Sequence, residues 1–345
     1  MYTDEDLNSA VDAGIVPVQT ALAFRNYVAE QAQSSSVDEE HFRLISGFND
    51  VFVVIASVLL LSAVAFLGSL IISPGISGFI VAGFAWGLAE FFTRVRRMAL
   101  PSIVLLFAFV GGVFFGTMAL LGGNMHFGGA SETELVIQLL VSGLAAGLAA
   151  MGHWQRFHVP ITVAAGVAAV AIAVLAVVLQ LIKTWFGVVS LTPLLFVVGV
   201  VVFLLAMKWD MSDIERQTGR SDVAFWLHLL AAPLLIHPVF TSLTASGGVV
   251  TGVQALAVLA VYLGVALISI CVDRRALMVS ALAYVLFTFA ALLKQYDMVS
   301  FSFALVAFVI GMALLMLSAF WHTVRVSVFQ RLPHSVQKWL PPVRA

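Results

Sequence analysis

Ten separate runs of about 20 apolar residues constrain this chain more than any other feature. They cover roughly 51–72, 75–93, 100–121, 134–152, 160–182, 189–207, 223–243, 249–271, 276–293 and 299–320. Each has the length an α-helix needs to cross a hydrocarbon core of about 30 Å. In lipid the backbone must satisfy its own hydrogen bonds, so runs of this length are read as helices. The expected fold class is all-α, a polytopic transmembrane bundle of about ten spans. Composition agrees, at 61% apolar and 10% charged residues, where a soluble chain carries about 25% charge. That excludes a soluble enzyme, and a net charge of −1 offers nucleic acid nothing to grip. The one cysteine, Cys271, excludes an internal disulfide and any cysteine-based zinc or iron–sulfur site.

Orientation follows from lysine and arginine in the short loops. With the N-terminus inside, 15 of the 17 fall on the inner face and only Lys183 and Lys294 lie outside. One miscounted span would scramble that segregation. Both termini are therefore expected in the cytoplasm, with the chain in a bacterial-type inner membrane and the lipid bilayer as its first partner. Trp154, Trp209, Trp226 and Trp321 fall near the inner interface and Trp185 near the outer one, as an aromatic belt requires.

Each outward-going span is preceded by an arginine: Arg43, Arg97, Arg156, Arg220 and Arg275, at intervals of 54, 59, 64 and 55 residues. The pattern fits five helical hairpins of similar length, from duplication or simply from the positive-inside rule. Three regions are expected: residues 1–47 as a cytoplasmic helical hairpin and linker, 48–322 as the bundle, and 323–345 as a tail along the inner leaflet. No charged n-region with a short apolar stretch opens the chain, so no cleavable signal peptide is expected. Residues 3–33 read as two short helices turned at Gly14 and Pro17. This piece is too small for a core of its own and is expected to dock on the inner face, on a second copy or on a protein partner.

The stretch Leu7–Val16 (LNSAVDAGIV), followed by Gln19-Thr20-Ala21, resembles the N-terminal "G-I-[IV]…Q-A" hairpin of bacterial DUF2157-type membrane proteins. Residues 43–50 (RLISGFND) and 226–240 are also similar to alphaproteobacterial members. The resemblance implies a soluble hairpin ahead of many short-looped spans. It implies no activity, so no catalytic residue follows from it.

Ionisable residues inside spans are functional candidates because hydrocarbon penalises them. Glu90, near the inner end of the second span, is expected to pair with Arg94 at i+4, or to serve as a coupling-ion site. The seventh span holds His228, Pro233, His237 and Pro238. Each proline frees a carbonyl, so the helix is expected to kink or break there, as in transporter binding sites. His237, together with His228 and Glu90, is the candidate for a polar pocket. The two histidines are nine residues apart, about 900° around a helix, and so face opposite ways. Gly75-Ile76-Ser77-Gly78 resembles the serine motif of rhomboid-type intramembrane proteases, and a Ser77–His237 dyad is a remote alternative. His153 and His158 read as inner-loop residues without a carboxylate, a poor metal site. The segment 208–222 reads as a solvated connector. No P-loop, HExxH or dinucleotide fingerprint is present, so no cofactor and no metal are expected.

Gly83/Gly87, Gly112/Gly116 and Gly143/Gly147 are GxxxG pairs on spans two, three and four, expected at close helix contacts. Together these features favour a transporter-like protein for a small molecule or lipid. The alternative is a non-catalytic structural or regulatory membrane protein that binds a partner through residues 1–47. The remote third reading is an intramembrane serine hydrolase.

Overall fold

The computed structural model describes residues 4–24, 48–122, 131–187, 190–213, 218–244 and 251–295, with scattered positions from 304 to 340. The chain divides into two compact units, Met1–Arg43 and Leu44–Ala345.

In the first unit, the helix Asp4–Asp12 ends in a turn at Gly14, whose φ of +71° suits glycine. The Ile15 N–H reaches back to Ala10 O at 2.9 Å, closing the helix end. Residues 18–24 are helical again after Pro17, as the sequence leads one to expect. The Gln33–Ser36 linker lies outside the described residues.

Among the described residues of the second unit, nine long helices, α1–α9, come first in the chain. They are α1 (Phe48–Ile71), α2 (Pro74–Ala89, continued by a π-helical stretch Glu90–Val95), α3 (Ala99–Gly122), α4 (Glu132–Phe157) and α5 (Ile161–Phe186). Then come α6 (Leu191–Met211), α7 (Gly219–Thr244), α8 (Gly252–Val272) and α9 (Ala276–Gln295). The first eight are long and apolar enough to cross a membrane. No strand occurs among the described residues. The expected tenth span, 299–320, lies largely outside them.

Helix boundaries follow local chemistry. Ser73 caps α2, its side chain accepting from Ile76 N–H, and Pro74 takes the first helical position, where the missing N–H costs nothing. Ser131 with Glu134 and Thr251 with Gln254 form capping boxes at the starts of α4 and α8. His158 and Asp273 end α4 and α8 in the left-handed conformation.

The burial pattern is inside-out relative to a water-soluble bundle. On α1 the buried residues are Asp50, Ser57 and Leu61, while Phe66, Leu70 and Ile71 are exposed. Buried positions elsewhere on α2, α4 and α5 are mostly alanine, glycine, serine and threonine. Lipid removes the hydrophobic drive between helices, and small residues let backbones approach for dispersion contacts instead. The protein is a membrane-embedded helical bundle.

Two of the three glycine pairs act this way. A Cβ on Gly78 would lie 2.7 Å from Gly112 O and 2.6 Å from Gly116 Cα, so α2 and α3 meet backbone to backbone. A Cβ on Gly143 would lie 2.6 Å from Ala169 O, which brings α4 onto α5. Gly83 and Gly87 correct the expectation, since a Cβ on either meets nothing within 4 Å. They lie on the face of α2 away from α3, whose partner glycine is Gly78.

Consecutive helices α2–α3, α4–α5 and α6–α7 pack most closely, whereas α5 and α6 barely touch. The helix α7 is continuous through Pro233 and Pro238, so of the expected kink or break the chain does not break there. Close packing holds it there, with the backbone at Leu234 so near α6 that a Cβ on Gly199 would sit 2.9 Å from its carbonyl carbon. A further helix crosses the expected tail boundary at 322/323. This helix, Trp321–Phe329, packs Trp321, Val324 and Val328 against Ala266 and Ile270 of α8 and Met278 of α9.

Candidate functional site

The strongest concentration of buried charge lies where α6 ends, α7 begins and α8 turns into α9. Asp210 is the next-to-last residue of α6. His228 sits on α7 one turn beyond Ala224, among Val223, Leu227 and Ala231, which pack on Val202 and Ala206 of α6. Arg274 follows the left-handed Asp273, whose φ is +60°. The Asp273 and Arg274 N–H groups both return to Ser269 O, and the Ser269 hydroxyl donates to Arg274 O. This tight turn throws the Arg274 side chain back into the bundle.

There the three side chains meet. Arg274 Nη2 donates to Asp210 Oδ1 at 2.5 Å, and its Nε to Oδ2 at 3.3 Å. His228 Nε2 lies 2.8 Å from Asp210 Oδ2. Arg274 also donates to Ser221 O at 3.2 Å, which ties in the first turn of α7. Asp210 is 4% exposed, His228 0% and Arg274 2%. A carboxylate paired with arginine offers only acceptors, so His228 carries its proton on Nε2 and donates. Phe203 of α6 meets the imidazole edge-on, ring centres 5.2 Å apart.

A second pairing adjoins it. Asp273 accepts from Trp321 Nε1 at 2.9 Å and pairs with Arg325 at 3.2 Å. The Arg275 guanidinium sits 5.0 Å from the centre of the Trp321 ring. Burial pushes the Arg325 guanidinium below its ordinary value, with Asp273 opposing. Two acids thus face two inward-turned arginines, joining four helices and a turn at one end of the bundle. Such a cluster ties these helix ends together. No group of three or more histidine, cysteine or acidic residues suited to a metal occurs among the described residues.

The other candidates are dispersed. His237 is exposed, with Nδ1 2.5 Å from the Tyr284 hydroxyl of α9. His237 and His228 thus bind different partners, Tyr284 and Asp210. Pro233 is exposed and Pro238 is buried. Glu90 makes its shorter contacts with Arg156 of α4, at 2.7 and 3.0 Å, and holds Arg94 only at 3.4 Å. The Ser77 hydroxyl donates to Ala65 O at 2.8 Å, so Ser77 and His237 bind different partners. His153 is fully buried within α4, its Nδ1 3.2 Å from Thr162 Oγ1, rather than in a loop.

Asp210 and Arg274 escaped the sequence reading. Asp210 fell in a segment taken as a solvated connector, and Arg274 was counted only as an inner-face charge. The signal was present, because Asp210 follows Trp209 without a turn residue and continues the apolar helix.

Two cavities lie beside this cluster. An apolar groove of about 620 Å³ runs between α4, α5 and α6. A polar cavity of about 570 Å³ lies at the end of α4, the end of α6 and the start of α7. Trp154 lines both. Comparison with protein-family models, curated proteins and solved structures gives no match.

Proposed function

We propose that this chain is a transporter-like protein of a bacterial-type inner membrane, with about ten spans in hairpin series and both termini cytoplasmic, that moves a small molecule or lipid. Kinship with the DUF2157-type proteins belongs to the same proposal. The observation that carries it is the buried Asp210–His228–Arg274 cluster. Ionised groups buried in a membrane bundle are expensive, and they commonly mark substrate or ion pathways. In this reading the cluster is the closed inner end of the α6–α7–α8 region, and its partners exchange when that end opens.

The test uses cysteines at Ala231 and Ala232, both fully buried on α7, in a Cys271→Ser background. Impermeant thiol reagents are applied from each side of sealed vesicles. Slow labelling from one side, accelerated in His228→Ala, is the expected result. Silence from both sides in both proteins would sink transport.

A scaffold role is the second reading, and one observation favours it. In the N-terminal unit Ile15, Val18 and Leu22 are exposed at 76%, 60% and 50%. Binding of a partner, or of a second copy, by full-length protein but not by an Ile15→Asp/Leu22→Asp variant would support it.

A further inference from the structure

The two cavities that share Trp154 lie end to end. The groove is lined along α5 from Thr162 to Val178, a rise of about 24 Å along the helix. That exceeds the roughly 15 Å depth of one leaflet's hydrocarbon, enough for one extended acyl chain. Its other wall is Leu194–Val202 of α6. The groove exists because α5 packs on α4 and α6 on α7, with Gly147, Gly166 and Ala171 leaving room between. Exposed Val170, Val174, Val197 and Val201 line it, so it opens laterally to lipid.

The far end changes character. Trp154 and Trp209 stand where interfacial tryptophans anchor at headgroup depth, and His158, Ser212, Thr218 and Arg220 add donors. No acid among the described residues lines this cavity. The nearby Asp213 is engaged by the Thr218 N–H and hydroxyl at 2.9 and 2.6 Å. Arg220 is exposed, and its guanidinium makes no hydrogen bond or ion pair with a described residue. A cation unpaired among the described residues, hydroxyls and tryptophans at the mouth of a chain-length apolar groove are complementary to an anionic amphiphile.

We infer that the α4–α5–α6 groove and the Arg220 cavity together bind one anionic phospholipid, with an acyl chain along Val170 and Val174 and the phosphate group at Arg220. This site does not require the chain to be a transporter, because a lipid held in place would serve a scaffold equally.

Native mass spectrometry of the full-length protein, delipidated in detergent and mixed with dioleoyl phosphatidylglycerol or phosphatidylcholine, tests it. One phosphatidylglycerol is expected to stay bound, with roughly fivefold preference over phosphatidylcholine. Arg220→Gln should erase the preference while keeping residual binding of both lipids. Val174→Trp, which fills the groove from its exposed side, should weaken both lipids together at unchanged thermal stability. Equal retention of the two lipids by the wild type would overturn the inference, as would a preference that survives Arg220→Gln. Tight binding undiminished by Val174→Trp, or inorganic phosphate stabilising the protein as well as the lipid does, would overturn it too.

Discussion

Arg274 Nη2 lies 2.5 Å from Asp210 Oδ1, though 64 residues separate them in sequence and each is almost fully buried. Neither residue would stand alone at this depth. Removing one partner strands the other charge, and in buried pairs that costs about 3–5 kcal/mol. Asp210→Asn and Arg274→Gln should each lose about that much in unfolding titrations in mixed micelles. The double variant Asp210→Leu/Arg274→Met should regain most of it, because no orphan charge remains. A double variant as unstable as the singles would refute the pair as the cause.

His228 differs because it meets Asp210 through Nε2, at a single carboxylate oxygen. Truncating it to alanine leaves one Asp210 oxygen short of a donor but keeps Arg274. The expected loss is about 1.5–3 kcal/mol, the range of a hydrogen bond to a charged group. Gln in its place can still reach with an amide N–H, so His228→Gln should lose less than His228→Ala in the same titration.

Periodicity and charge announced the bundle far better than they announced the site. Runs of about 20 apolar residues must be helices in lipid, so α1 to α8 were legible, and so were the glycines at 112, 116 and 143. Gly83 and Gly87 were misread because GxxxG spacing states that a small stripe exists, not which way it faces. The prolines of α7 leave the helix continuous, an outcome that depends on packing by neighbours and that spacing alone does not reveal. Asp210 and Arg274 were hidden for a geometric reason. Each looks interfacial along the chain, and only the left-handed turn at Asp273 shows that the arginine folds inward.

The glycines supply a direct contrast. Gly78 has no room for a side chain against Gly112 and Gly116, so Gly78→Leu must push α2 away from α3. Gly83→Leu adds a side chain to open space and replaces a poor helix former by a good one. In detergent, Gly78→Leu should lower the melting temperature by several degrees, and Gly83→Leu should leave it unchanged or slightly higher. A fall with Gly83→Leu at high protein concentration only would mean that this face meets a second copy.

The proposed topology can be read from exposed ends of two helices. Lys183 of α5 pairs with Glu132 at the start of α4, at 2.5 Å, and Trp185 beside it is 79% exposed. Trp154 and Arg156 lie at the opposite end of α4, the end that carries Glu90 and Arg220's cavity. The positive-inside rule puts the arginine-rich end in the cytoplasm and the Lys183 end outside. In a Cys271→Ser background, Trp185→Cys should react with an impermeant maleimide in intact cells, and Arg220→Cys only after the membrane is opened. The reverse pattern would invert the bundle and turn both termini outward. Labelling of both positions in intact cells would instead remove α6 from the set of spanning helices, because Trp185 and Arg220 are separated by that helix alone.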